Sequence, residues 1–156
     1  MIDRKYIGHG FPPYTSLIEA GRVRLYCQSI GETAPIHSDA KFARNAGYRN
    51  VVAPLTFPAA ISMDSPNPRR VSDLLNISLA RVLHGEEQYD YFAPICVGDE
   101  ITTESKITDI YEKKGGFLEF VILELNMRNQ LDERVCKIRR TFVVRHIEDE
   151  LEGRSP

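Results

Sequence analysis

Glu32 and His37 stand five residues apart in Gly31-Glu32-Thr33-Ala34-Pro35-Ile36-His37, where a helix stop, a carboxylate, a stiffening proline and an imidazole follow one another. A turn of this composition could aim both side chains at one point. A carboxylate and an imidazole sharing one water form a general acid/base pair, because burial and mutual interaction bring their pKa values toward working pH. Considered alone, one Glu and one His beside a turn are more often solvated surface residues, and spacing does not decide between the two. The three cysteines, Cys27, Cys96 and Cys136, are odd in number, far apart and set among apolar neighbours. They read as reduced core thiols of a cytoplasmic protein, and a catalytic cysteine is the weaker reading.

The elements that must position this pair have two different periodicities. Residues 21–30 carry apolar side chains at 23, 26, 27 and 30, one helical face, with Gly31 as its stop. Ser16 and Glu19 have capping-box spacing, but a short strand over 14–19 is the favoured reading. Asp39 looks like the N-cap of a short helix through Phe42, Ala43 and Ala46, ended by Gly47. Pro54 suits the first turn of a third helix through Phe57, Ala59, Ala60 and Ile61. Pro58, which lacks an amide hydrogen, should bend that helix or start it late. Residues 64–70, with Pro66 and Pro68, read as a surface loop. From about Leu79 the pattern shifts to strands over 81–92, 100–112, 117–128 and 134–146, rich in Val, Ile, Phe, Tyr and Thr and separated by strong turn signals. Antiparallel strands preceded by one central helix describe an α+β layer architecture.

A chain of 156 residues accommodates one domain, assigned to 1–147, with a charged tail over 148–156 that is expected to fray. A formal charge of -2 gives no general attraction to phosphate backbones or anionic lipid, so neither nucleic acid nor membrane is an expected partner. Met1 to Gly10 lacks the apolar core of a signal peptide, and no apolar run is long enough to cross a bilayer.

The stretch Gly31-Glu32-Thr33-Ala34-Pro35-Ile36-His37 resembles Gly-Asp-x-Asn-Pro-(Leu or Ile)-His, the signature of MaoC-like (R)-specific enoyl-CoA hydratases and 3-hydroxyacyl-thioester dehydratases. Further pieces follow in that family's order: Asp39 to Gly47-Tyr48, Val52-Ala53-Pro54-Leu55-Thr56-Phe57, Leu83-His84-Gly85-Glu86-Glu87-Gln88, and the turn Pro94-Ile95-Cys96-Val97-Gly98-Asp99. The resemblance implies a hot-dog fold, a long central helix wrapped by a curved antiparallel sheet. It implies water added across, or removed from, an acyl thioester carried by coenzyme A or acyl-carrier protein, with no metal or redox cofactor. Glu32 takes the place of the catalytic Asp and His37 that of the catalytic His. The substrate-binding positions are Ala53, Pro54, Leu55, Thr56, Phe57, His84 and Gly85. His84 is expected inside the sheet, and Gly85 at a bulge or close backbone approach.

Three departures bear on this assignment. Glu32 is one methylene longer than Asp, Ala34 replaces the motif Asn, and Pro54 has no N–H where family members offer an amide to the thioester oxygen. The amide of Leu55 or of Ala53 would have to serve instead. These features resemble the N-terminal FAS1-type dehydratase domain of double-hot-dog enzymes and the substrate-holding subunits of heterodimeric acyl-carrier-protein dehydratases. Two functions follow, a hydratase or dehydratase using Glu32 and His37, or a non-catalytic subunit that shapes an acyl tunnel. A hot-dog thioesterase is the weakest third. A dimer is expected, with itself or with another hot-dog subunit. The pairs Arg69-Arg70 and Arg139-Arg140, and the isolated His9 and His146, read as solvated surface groups.

Overall fold

Alternating apolar residues in the second half of the chain build one sheet around one short helix. The computed structural model describes residues 1–113 and 115–146. The charged tail expected over 148–156 lies outside the described residues. The strands are β1 (Gly10–Leu17), β2 (Val82–Tyr91), β3 (Glu100–Lys113), β4 (Leu118–Arg128) and β5 (Arg134–Arg145). They pair antiparallel in the order β1-β3-β4-β5-β2. Gly115 and Gly116, at φ of 64° and 86°, make the turn into β4. Asn129 makes the next turn, its side-chain oxygen accepting from the amides of Leu131 and Glu133 at 3.0 Å each.

Helix α1 (Ala20–Ile30) buries Val23 and Cys27 and half-buries Tyr26, while Ile30 at the end of the expected face is exposed. Asp39 caps α2 (Ala40–Asn45), accepting from the amides of Lys41 at 2.7 Å and Phe42 at 3.0 Å. The central helix α3 (Phe57–Ser62) is only six residues long, shorter than the resemblance implied. It starts late because Pro58 fits only the first helical turn, where no amide donor is needed. Pro54 lies before it, its carbonyl accepting from the Phe57 amide at 2.8 Å. A second short helix, α4 (Arg70–Leu74), closes the loop that contains Pro66 and Pro68.

Phe57 and Ile61 of α3 are fully buried in one core with Ile107, Val121, Leu123, Leu125 and Ile138 of the sheet. This is the hot-dog arrangement, a helix packed against one antiparallel sheet.

Burial corrects several surface assignments. One arginine of each basic pair is interior: Arg70 is 9% and Arg140 7% exposed. The alternation of β5 puts Arg140 on the same face as Ile138, Phe142 and Val144, and Arg139 outside. His146 is largely buried against Glu119, whereas His9 is exposed beside Phe11. His84, expected inside, shares the inner face with its register partner Phe142 but is exposed, because on edge strand β2 it borders the open groove beside α3; its ring lies edge-on to Phe142. At Gly85 the register of β2 against β5 slips, and an added Cβ would lie 2.7 Å from a Val143 methyl. A close approach of backbone to side chain therefore reserves this position for glycine.

Candidate active site

Gly31 ends α1 in the left-handed conformation at φ 72°, and the Glu32 amide reaches back to the Cys27 carbonyl at 2.8 Å. That closure throws Glu32 sideways off the helix end. Its carboxylate folds onto its own loop and accepts from the Ala34 amide at 2.8 Å. This bond is the largest influence holding the Glu32 carboxyl below its usual range; it outweighs the opposing effect of desolvation, and the nearby His37 and the Thr33 amide add to it. The expectation that burial and mutual interaction bring both pKa values toward working pH is thus reversed for Glu32, which is held as an anion.

His37 ends a single 3-10 turn, Pro35–His37, and its Nδ1 lies 2.7 Å from the Val52 carbonyl oxygen. A carbonyl only accepts, so Nδ1 carries a proton, and in the neutral imidazole this tautomer leaves the lone pair on Nε2. Val52 is held from both sides. Its amide donates to the Ile36 carbonyl at 3.1 Å, while the neighbouring residues turn the other way: Ala53 donates to the Ile95 carbonyl at 2.8 Å, and the Val51 carbonyl accepts from Val97 at 2.8 Å. This two-residue alternation wedges 51–53 between the His37 turn and the 95–97 segment, and so fixes the imidazole to the scaffold.

The 95–97 segment is itself anchored by Asp99, which is buried. Its carboxylate accepts from the Cys96 amide at 2.8 Å and from Gln130 at 3.1 Å, and pairs with Arg49 at 2.9 Å.

At the start of α3, Ala53 has already committed its amide to Ile95, and Pro54 has none. Of the two amides considered for the thioester oxygen, only that of Leu55 remains uncommitted among the described hydrogen bonds. The turn that presents it is held by its carbonyls: Tyr91 donates to Leu55 at 2.8 Å and Tyr26 to Thr56 at 3.0 Å. Neither tyrosine was singled out for this role in the sequence, since each is inconspicuous on its apolar face. A cavity of about 300 Å³ opens here, lined by Tyr48, Val52, Ala53, Leu55, Tyr91 and Phe92. Phe57 is fully buried and serves the core, whereas Leu55 and Thr56 are exposed. His84 and Gly85 lie apart from the Val52 side of α3, on an open groove of about 540 Å³ bordered by Tyr26, Ala59, Ala60 and Met63. Among the described residues no group of His, Cys, Asp and Glu is gathered to hold a metal ion, and no helix is long and apolar enough to cross a membrane.

Residues 5–138 match the model of the FAS1-like, dehydratase domain region. A UPF0336 protein of Saccharopolyspora erythraea is 30% identical over 154 residues, 97% of either chain. A solved MaoC-like dehydratase superimposes with a TM-score of 0.77 at 30% identity, covering 93% of this chain and 43% of that longer one. The C-terminally truncated HadBC (3R-hydroxyacyl-ACP dehydratase) complex of Mycobacterium tuberculosis superimposes with a TM-score of 0.75 at 17% identity, covering 88% of this chain and 96% of its own, a likeness of fold.

Proposed function

Because the chain belongs to the FAS1-like dehydratase domain family, we propose that it adds water to, or removes it from, an acyl thioester, interconverting a trans-2-enoyl and an (R)-3-hydroxyacyl group on coenzyme A or a carrier protein. The observation that carries this reading is the His37 imidazole, fixed through Nδ1 on the Val52 carbonyl so that Nε2 is left to accept a proton. In the hydration direction, Nε2 takes a proton from water as the water oxygen bonds to C3 of the enoyl group. The double-bond electrons move toward the thioester carbonyl, whose growing negative charge meets the Leu55 amide. His37 then returns the proton to C2. Glu32, held ionised, orients the water and steadies the imidazolium while it exists. No metal or redox cofactor takes part in this scheme. Three buried free thiols suit a reducing compartment and support a cytoplasmic site of action.

One observation favours a second reading. The Glu32 carboxylate is engaged by an amide of its own loop, and Ala34 supplies no side chain to share that work. A site so arranged would suit a subunit that binds the acyl chain while a second hot-dog chain carries the water-activating pair. Purified protein is mixed with crotonyl-CoA and longer enoyl-CoAs, and the conjugated thioester absorbance is followed. Turnover reduced by about two to four orders of magnitude in His37→Ala supports the enzyme. Absence of turnover until a second hot-dog chain is added would establish the binding subunit instead.

A further inference from the structure

Among the described residues two guanidinium groups are buried, and of these one has a carboxylate partner. Arg140 donates through Nε to Glu87, which also accepts from the Tyr89 hydroxyl, and through Nη2 to Ser62 Oγ at 2.9 Å. Arg70, on α4, has no carboxylate partner among the described residues. Its contacts are two long ones, 3.4 Å to Ser105 Oγ and 3.5 Å to the Asn67 carbonyl, and its buried Nε has no partner. Its guanidinium lies 5.5 Å from the Phe11 ring and 5.9 Å from that of Tyr14. Nearby carboxylates are engaged elsewhere, Asp64 by Arg22 and Asp73 by Arg69. Burial is the largest influence pulling the Arg70 pKa down, and the cation of Arg140 adds to it. A buried charge without a counter-ion is among the costliest arrangements in a protein interior, and a planar fork of donors is best matched by a carboxylate.

Arg70 and Arg140 both line a small, partly open cavity of about 80 Å³ between α3, α4 and the sheet, with Ser62 and Ser72 as further polar groups and Val121, Leu123 and Phe142 as apolar wall. At about 10–15 Å³ for each water-sized group, that space holds roughly five to eight of them. Met63 and Arg140 border both this cavity and the open groove beside α3. Along α3, the cavity beside Leu55 reaches Pro58, the groove borders Ala59 and Ala60, and the small cavity reaches Ser62.

We propose that this small cavity receives a carboxylate at the far end of the acyl chain, paired with Arg70, so that the protein prefers thioesters of dicarboxylic acids to those of simple fatty acids. The inference rests on the acyl-thioester reading above and adds the substrate class. Six residues at about 1.5 Å each set the two ends of α3 about 9 Å apart, and at about 1.2 Å per extended bond that span takes about seven or eight bonds, an acyl group of about eight carbons.

The test is calorimetric binding of suberyl-CoA and octanoyl-CoA, saturated thioesters of equal length that the proposed chemistry does not consume. The expected result is tighter binding of suberyl-CoA by about tenfold or more, reversal of that preference in Arg70→Met and partial retention in Arg70→Lys, with thermal unfolding run on each variant. Equal binding of both thioesters by the unaltered protein, or a preference unchanged in Arg70→Met, overturns the carboxylate site and leaves the acyl-thioester reading standing. Binding of neither overturns both. Should Arg70→Met not fold, the ratio for the unaltered protein and its change in Arg70→Lys decide the matter.

Discussion

Glu32 differs from the aspartate it replaces by one methylene, and the structure shows where that length goes: the side chain curls back to the Ala34 amide. A group whose pKa is lowered by folding stabilises the fold above its unfolded value and loses that contribution as pH falls through its folded value. The ordinary value here is 4.5, so the contribution of Glu32 is complete above that pH and fades below it. Thermal unfolding of the unaltered protein and of Glu32→Gln should differ by a constant amount from pH 6 to 8 and converge below 4.5; parallel curves down to pH 3 would remove the carboxylate from this role. Pro35, Ile36 and His37 were legible as a motif, because their types define the turn. The carbonyl of Val52, which sets the imidazole tautomer, was not, since a backbone acceptor has no side-chain signature. Nor was the burial of Arg70 and Arg140 legible: a charge in an alternating strand, as at Arg140, reads as outward until its register is known, and Arg70 stood at the end of a proline-containing segment that read as a surface loop.

Among the elements, the turn before β3 does more for the site than its exposed glycine suggests. Asp99 joins it to Arg49, to Gln130 and to the amide of Cys96, and the adjoining 95–97 segment holds Val51 and Ala53. Removing a buried carboxylate with this many partners leaves a donor set unsatisfied, so Asp99→Ala should cost about 3 kcal/mol by urea unfolding. Because 51–53 carries the Val52 carbonyl, the variant should also lose activity or ligand affinity while still folded; unchanged affinity would separate the turn from the site. In β2, Gly85→Ala forces a methyl against Val143 and should cost about 1–3 kcal/mol; a neutral change would show that Val143 moves aside freely. The strands from β2 to β5 were legible to within a residue because β-branched alternation and turn residues are local signals, whereas β1, read over 14–19, begins four residues earlier at Gly10, where Pro12 and Pro13 mask the pattern. Their pairing order was not, since local pattern does not say that β1 lies beside β3. The short α3 followed from Pro58, whose missing amide was visible in the sequence.

For the whole molecule, the sheet ends at two edges, and they are not equivalent. β1 carries Pro12 and Pro13, and its register slips between Phe11 and Tyr14, both of which discourage further pairing. β2 is ten residues long, carries no proline and exposes Leu83 and Tyr91, while Met63 and Leu55 are exposed along the adjoining groove and cavity. An edge of this length with exposed apolar side chains invites a second sheet, and a second sheet here would close the open groove of about 540 Å³ over an acyl chain. Assembly and binding should therefore fail together. The chain is expected to sediment as a dimer, or to form one when a second hot-dog chain is supplied, and Leu83→Lys, which sets a charge on that edge without entering the core, should shift it to monomer. The same variant should weaken acyl-thioester binding, although Leu83 does not line the groove itself. A monomer that binds acyl thioesters as well as the unaltered protein would show that one chain closes its own groove, and would assign the apolar surface of β2 to some other purpose.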